Sequence, residues 1–207
     1  LDLANSRFKA NRLLKWHYRS RHQSLIDFSN HHFYQNQLII PPSPVTTSAV
    51  TTSKVDAYYK GKINIQEKDK LIKDLIPFMS ANIRKGDGDK KSKSCLIVTM
   101  NIFQAESIED DLNKRKLEHP IIEEYENSWK DTGEEFTVKN LESVQGDERD
   151  VIFISTIFGP EGPGMKTKQT FGPINNKGGQ RRLNVLFTRA RQNLNLYTSL
   201  SSNDIQS

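Results

Sequence analysis

Only one cysteine, Cys95, occurs among the 207 residues, so no disulfide can form within the chain. It lies in the apolar run CLIVTM, where a thiol behaves as a small buried hydrophobe. No apolar run approaches the roughly 20 residues of a membrane-spanning helix. The opening LDLANSRFKANRLLKWHYRS also lacks the basic, apolar and small-residue order of an export signal. These absences favour a protein of the reducing cytoplasm.

Motifs for a complete nucleotide hydrolase or a metal site are also absent. The only Gly-Lys pair is Gly61–Lys62, and Asp56 stands where the first glycine of a GxxxxGK[ST] phosphate loop belongs. No apolar run ends in the Asp-Glu pair that would hold magnesium. The four histidines within residues 17–32 lack cysteine or carboxylate partners at ligand spacing, which favours ordinary polar or packed histidines.

The composition is that of a folded domain. A 35% apolar share and 27% charged residues fit a soluble globular chain, and this length gives one large domain or two small ones. The net charge of +5 permits a partner that carries phosphate but does not require one.

Short apolar runs and helical periodicity alternate along the chain. An extended surface connection is predicted at about 41–53 from its prolines, serines and threonines, and a long Gly/Pro-rich loop at about 158–180. Residues 119–136 are left unassigned. Strands are predicted at 55–59, 95–100, 136–141, 151–156 and 193–200, and helices at 22–34, 65–84, after an Asn101 cap, and at 181–191. The alternation predicts an α/β fold, a parallel sheet with helices on both faces, whose ligands bind at the carboxyl ends of the strands.

Two polar segments adjoin this predicted core. In VQGDERDVIFIS an amide, a glycine and acids directly precede the buried strand, so they either reach a site from a loop folded over the sheet or cap the strand. In RRLNVLFTRAR a helical wheel puts Arg182 and Arg189 at the border of the apolar stripe and Arg191 on the polar face. Taken alone, that helix is best read as a basic solvated face.

Together with YRS at 18–20, the segments QGDERD and RLNVLFTRAR resemble the later motifs of superfamily 1 DNA/RNA helicases. Longer stretches such as VKNLESVQGDERDVIFIS are similar to large bacterial helicase-like proteins of the Upf-like branch. The resemblance runs from about residue 13 to 202. It implies that residues 1–207 form a single C-terminal RecA-like domain, which closes on a nucleotide bound to an N-terminal RecA-like domain of the same protein.

The resemblance also implies a nucleotide site. Arg19 and Arg189 would be presented to the γ-phosphate of ATP, where guanidinium groups offset the charge that develops during phosphoryl transfer. Glu148 would accept a hydrogen bond from the ribose, while Gln145 and Gly146 would shape the loop. The phosphate loop and the Mg²⁺ ligands would belong to the N-terminal domain, so this chain alone is expected to be inactive.

The implied partner is nucleic acid, single-stranded or duplex, and DNA in the first place. By resemblance, Thr99 and Ser143 are expected to contact the backbone of the nucleic acid. The lysines of KKSKS and KTK could touch phosphates, but they are better read as parts of solvated loops. The role of Asp150 is left open: it could cap the strand, form an ion pair with a nearby arginine or contact a ligand. The alternative function is a nucleic-acid-binding or regulatory module that keeps the helicase fold without motor activity.

Overall fold

The structure is a computed structural model that describes residues 7, 15–17, 19–40, 42 and 47–204. Its centre is a five-stranded sheet in the order β1-β5-β4-β2-β3, and every pairing is parallel. The predicted parallel α/β sheet of a RecA-like domain is therefore confirmed. The strands are β1 (Val50–Lys54), β2 (Cys95–Thr99), β3 (Thr137–Asn140), β4 (Arg149–Ser155) and β5 (Ala190–Thr198).

Within the described part of the chain, five α-helices cover the two faces of this sheet. The helices α2, α3 and α4 pack on one face, and α1 and α5 pack on the other. Short 3-10 helices lie at Gly172–Asn175, before α5, and at Ser202–Asp204, after β5. The α-helices are α1 (Ser24–Phe33), α2 (Ile65–Ala81), α3 (Ile102–Arg115), α4 (Ile121–Ser128) and α5 (Gly179–Phe187).

The apolar run of β4 is continuous because the strand is buried on both faces. Ile152 and Ile154 enter the core beneath α1 and α5, whereas Val151 and Phe153 enter the core beneath α2, α3 and α4. Successive side chains of a strand point to opposite faces, so a central parallel strand needs apolar residues at every position.

The starts of α2 and α3 follow local capping rules. Asn101 precedes α3, and its side chain accepts a hydrogen bond from the Gln104 backbone N–H at 2.8 Å, which confirms the predicted cap. Asn64 caps α2 in the same way through the Glu67 N–H at 3.0 Å. Each cap satisfies a backbone donor that has no partner inside the helix.

The first strand lies earlier than predicted. Residues 50–54, which overlap the end of the predicted connection at 41–53, pair with β5 as an edge strand, while residues 55–59 form no strand. Residues 41 and 43–46 of that connection lie outside the described part of the chain. The prediction at 55–59 was wrong because Ala57 is buried and Tyr59 packs against Phe158 in a connection that leaves the sheet.

The helix that carries the arginines is shorter than predicted. It ends at Phe187, where Thr188 Oγ1 donates to the Asn184 and Val185 carbonyls at 2.9 and 3.0 Å. Arg189 therefore lies in the two-residue link, and Arg191 lies on β5. The helical-wheel placement of Arg189 and Arg191 was wrong, since helical periodicity does not continue past the threonine.

Two further segments gain structure that the sequence pattern left out. The unassigned region contains α4, whose Ile122 and Tyr125 are fully buried. The predicted loop at 158–180 contains the 3-10 turn and the start of α5. Gly179 is required there, since a Cβ would lie 2.1 Å from the carbonyl oxygen of Ile174.

Candidate nucleotide site at the amino edge of the sheet

The predicted nucleotide residues meet at the amino ends of the strands. Glu148 directly precedes β4 and Arg189 directly precedes β5, and these neighbouring strands start together through the pairing of Arg149 with Ala190. Arg19 is brought to the same edge because the Arg21 N–H donates to the Arg191 carbonyl at 2.8 Å. This edge is opposite to the carboxyl edge at which a parallel sheet was expected to bind its ligands.

Arg19 and Glu148 form an ion pair. The Arg19 Nε lies 2.8 Å from Glu148 Oε2, and the side chains are 34% and 42% exposed. A second cation approaches the same carboxylate, since Arg191 lies 4.0 Å from Glu148 Oε1. Partial exposure keeps the Arg19–Glu148 pair weak, so a ligand can separate its members at low cost.

Arg189 is held without a carboxylate. Its Nε donates to the Val185 carbonyl at 2.8 Å, and its terminal nitrogens donate to the Asp147 carbonyl and to Thr188 Oγ1, each at 3.3 Å. Among the described residues no acid forms an ion pair with it. Burial and the nearby Arg19 lower the pKa of this half-buried guanidinium. Arg189 is thus a fixed cation whose charge is incompletely compensated, a suitable partner for an anion.

The loop before β4 crosses the sheet. Residues 141–148 return from the carboxyl end of β3 to the amino end of β4, and the buried Leu141 and Val144 anchor them to the core beneath α5. Gly146 has φ +97, a backbone conformation that side chains disfavour, and it leads the chain into Glu148. The interpretation of a loop folded over the sheet is therefore confirmed.

The last charged residues of the two motifs, Arg149 and Asp150 in QGDERD and Arg191 in RLNVLFTRAR, have structural roles. Arg191 contacts both carboxylate oxygens of Glu134, at 2.7 and 2.5 Å, and Asp150 Oδ1 at 3.1 Å. The ion pair considered for Asp150 is present, and Arg191 is not a free surface cation. Arg149 is also committed, because its buried guanidinium donates to the carbonyls of Glu135 and Glu148.

A cavity of about 340 Å³ adjoins Arg19 and Arg189. Trp16, His17 and Tyr34 line it, and burial together with Arg19 lowers the pKa of His17. Asn184 donates to the Tyr34 hydroxyl at 3.2 Å across the cavity wall. Sequence reasoning missed Tyr34 and Asn184, which are brought together by the packing of α1 against α5 and share no motif. Tyr18 lies outside the described residues.

Thr99 and Ser143 lie at the carboxyl edge, remote from the arginines. Thr99 ends β2 and pairs in register with Asn140, at the end of β3. Thr99 is fully buried and its hydroxyl donates to the Asn101 carbonyl at 2.5 Å, whereas Ser143 is exposed in the turn that Asn140 stabilises. Contact with nucleic acid at these positions stays a prediction.

Within the described ranges, no cluster of three or more His, Cys, Asp or Glu side chains is arranged to hold a metal ion. The helices in those ranges are also too short or too polar to cross a membrane.

The sequence is similar to helicase-related proteins. A family model described as an AAA domain matches residues 2–200. An uncharacterized ATP-dependent helicase of Mycoplasma genitalium is 32% identical over 208 residues, which are 99% of this chain and 17% of that protein. Its Mycoplasma pneumoniae homologue is 32% identical over 219 residues, which are 100% of this chain and 18% of that protein. The chain thus spans less than a fifth of the length of these curated relatives.

Proposed function

The chain belongs to the AAA domain family, as a C-terminal RecA-like helicase domain of superfamily 1, and on that premise we propose that it is a motor domain. It would serve an ATP-dependent DNA or RNA helicase and complete the ATP site of a preceding RecA-like domain. The observation that carries this proposal is Arg189, fixed by neutral acceptors and without a carboxylate partner among the described residues.

Arg189 fits the role of a γ-phosphate arginine. Phosphoryl transfer is accelerated by positive groups already in position, because they need no reorganisation as charge develops. The Val185 carbonyl, the Asp147 carbonyl and the Thr188 hydroxyl hold the guanidinium from three sides. ATP with its Mg²⁺, held by the preceding domain, would supply the bond that is cleaved.

Arg19 would join Arg189 by exchanging partners. It is paired with Glu148 at 2.8 Å, so neither side chain is free for a nucleotide in this conformation. A ribose hydroxyl that donates to Glu148 would take over the carboxylate, and Arg19 would turn to the phosphate. Arg191, 4.0 Å from Glu148, would continue to offset its charge. The exchange gives the domain a way to respond to a bound nucleotide.

The crossing loop provides a path from this site to nucleic acid. Ser143 lies at the carboxyl edge and Glu148 at the amino edge, and the loop between them is held by the buried Val144 and by an ion pair of 2.6 Å between Asp147 and Lys139. A displacement of Glu148 would therefore be transmitted to Ser143. This supports the expectation that Ser143, and the backbone beside Thr99, contact the strand.

The test is Arg189→Ala in the full-length protein. ATP turnover should fall roughly 10³-fold, as it does when an arginine finger is lost. Binding of single strands should persist, because that affinity is spread over many phosphates and bases. Steady-state ATPase rates and strand affinities at one salt concentration would measure both effects.

Arg115→Ala is the matched control. Arg115 is a partly exposed arginine on α3, on the other face of the sheet, and it pairs only with Asp111 on its own helix among the described residues. Its removal should change ATP turnover little. Equal turnover in Arg189→Ala and the parent would instead favour a nucleic-acid-binding module without motor activity.

A further inference from the structure

The carboxyl edge of the sheet exposes large apolar side chains beside the predicted strand contacts. Phe103 is 43% exposed and Ile102 45% exposed, both in the first turn of α3. This turn begins directly after β2, whose last residue is Thr99. Phe103 belongs to neither core cluster of the described residues and packs against no other aromatic ring among them.

A tight turn places Lys62 beside this ring. Backbone hydrogen bonds of 3.0 Å run in both directions between Lys60 and Ile63, and they close a two-residue turn. Its central residues, Gly61 and Lys62, have φ +57 and +73. The positive φ is ordinary for glycine, but for lysine it costs about 1–2 kcal/mol. Strain of this kind persists where the surroundings impose it and often marks a functional position.

The second half of the turn is fixed to the start of α3 by two side chains. Asn101 Nδ2 donates to the Lys62 carbonyl at 2.8 Å, while its Oδ1 caps the helix. The buried Gln104 accepts from the Asn64 N–H at 2.9 Å and donates to the Asn64 carbonyl at 3.0 Å. The side chains of Asn101, which caps α3, and of Gln104, in its first turn, therefore hold the turn at a constant distance from Phe103.

The result is a cation above an exposed aromatic ring. Lys62 Nζ lies 4.1 Å from the centroid of the Phe103 ring. At an exposed position such a contact stabilises a fold by only about 0.5–1 kcal/mol, which does not exceed the cost of the strained turn. Stability alone therefore does not account for this arrangement.

We propose that Phe103 and Lys62 form a platform for one base of a single-stranded nucleic acid. The base stacks on the Phe103 ring, and the Lys62 ammonium moves to the adjoining phosphate. Stacking on an aromatic ring tolerates every base, as a translocating domain requires. The inference rests on the proposed function, because it assigns a residue-level contact to the nucleic acid of that domain.

Charge gives the strand its direction across the platform. A groove of about 350 Å³ beside Phe103 is lined by three acids and two lysines, and Lys68 pairs with Asp111 at 3.3 Å. Its lining keeps one net negative charge, which disfavours phosphates. The charged residues are Glu106, Asp110, Asp111, Lys68 and Lys114. The end of β2 and the exposed Ser143 lie outside this groove, at the same carboxyl edge of the sheet. The strand therefore leaves the ring towards Thr99 and Ser143.

The experiment compares two labelled strands of equal length, one of mixed sequence and one with abasic sites, on the full-length protein. Phe103→Ala should bind the mixed strand about tenfold more weakly and the abasic strand like the parent, since only stacking is lost. Phe103→Trp should restore binding. Ile102→Ala, which removes an equally exposed apolar side chain without a ring, should bind both strands like the parent. Lys62→Ala should lower the salt dependence of binding by about 0.7 in slope.

The outcomes separate this platform from the motor assignment. Parent-like strand binding by Phe103→Ala would overturn the platform, and so would an equal loss on both strands. Loss of ATP turnover without any loss of strand affinity would mean that Phe103 docks the neighbouring domain, which also overturns it. The motor assignment is judged separately by Arg189→Ala, so either proposal can fail while the other holds.

Discussion

At the scale of single residues, two arginines that are two positions apart have opposite environments. Hydrogen bonding to Glu134 raises the pKa of Arg191, while burial lowers the pKa of Arg189. Burial alone would raise the pKa of Glu134, but its hydrogen bonds from Arg191 and Ser94 lower it. Removing Arg191 would leave Glu134 and Asp150 without their main cation, so Arg191 is a stabilising residue and an unsuitable control for Arg189.

At the residue scale, we predict the effect of replacing Glu148 on ATP binding by the full-length protein. Glu148→Ala should weaken ATP binding by about 1.5–3 kcal/mol, the contribution of a hydrogen bond to a charged group. The melting temperature should hardly change, because the pair with Arg19 is partly exposed. Nucleotide titrations with ATP and with its 2′- and 3′-deoxy analogues measure the effect: the parent should prefer ATP over one analogue, and the variant should lose that preference.

Glu148→Gln is the companion variant, since it keeps an acceptor oxygen but loses the charge. It should retain part of the preference for ATP. A domain that unfolds in Glu148→Ala while its ATP affinity is unchanged would make Glu148 structural and contradict its assignment to the ribose.

At the scale of elements, one buried acid joins α2 to the ends of β4 and β5. Glu67 is fully buried, and its carboxyl group accepts hydrogen bonds from the Ile157 N–H and Ser155 Oγ, both at 2.8 Å, and from Ser199 Oγ at 3.2 Å. Ile157 has φ +61, a strained conformation that the bond to Glu67 helps to hold. Burial raises the pKa of Glu67 to about 7, although these hydrogen bonds act in the opposite direction.

The stability of the chain should therefore depend on pH through Glu67. The folded-state pKa of about 7 lies above the value of 4.5 for an exposed glutamate, so the folded state retains a proton that the unfolded state has lost. The free energy of unfolding should decrease as the pH rises from 4.5 to about 7, by up to roughly 3 kcal/mol. Urea unfolding over this pH range measures the slope.

Glu67→Gln should flatten this dependence, because the amide cannot ionise. Glu123→Gln, which changes an exposed acid on α4, is the control and should leave the slope unchanged. An equal slope in Glu67→Gln and the parent would show that other groups cause the pH dependence.

At the scale of the whole molecule, charge is separated between regions. Residues 102–136 contain eleven acidic and four basic side chains and so carry a net charge of −7. Because the whole chain carries +5, the remaining residues carry +12. This acidic region includes α3 and α4, which cover one face of the sheet. A nucleic acid strand would avoid that face and approach the carboxyl edge, where Lys54, Lys62 and the loop with Lys166 and Lys168 follow the strands.

The chain alone should hydrolyse no ATP above background. It carries Arg19 and Arg189, which we propose complete an ATP site, but its sequence contains neither a phosphate loop nor an apolar run that ends in an Asp-Glu pair. The measurement is ATP turnover across the fractions of a sizing column. Activity that follows the peak of this chain through stringent purification would contradict the division of the ATP site between two domains.

Several features of the fold were predictable from local sequence. The continuous apolar runs around Ile97 and Phe153 predicted buried parallel strands, and Asn101 predicted a helix start, because capping and burial depend on adjacent residues. The edge strand at 50–54 was not predictable: Thr and Ser side chains at an exposed edge give no apolar pattern. Its position is decided by pairing with β5, about 140 residues later in the chain.

For the site, the sequence by itself determined the motif residues Arg19, Glu148 and Arg189 and the absence of a phosphate loop. Only the tertiary structure decided that Arg19 pairs with Glu148 and that Arg189 has no acid partner among the described residues. The physical reason is that motif spacing identifies side chains, whereas their charge partners come from segments distant in sequence. The parallel pairing of β4 with β5 brings Glu148 and Arg189 to one edge of the sheet, where Glu148 pairs with Arg19 while Arg189 donates to neutral oxygens.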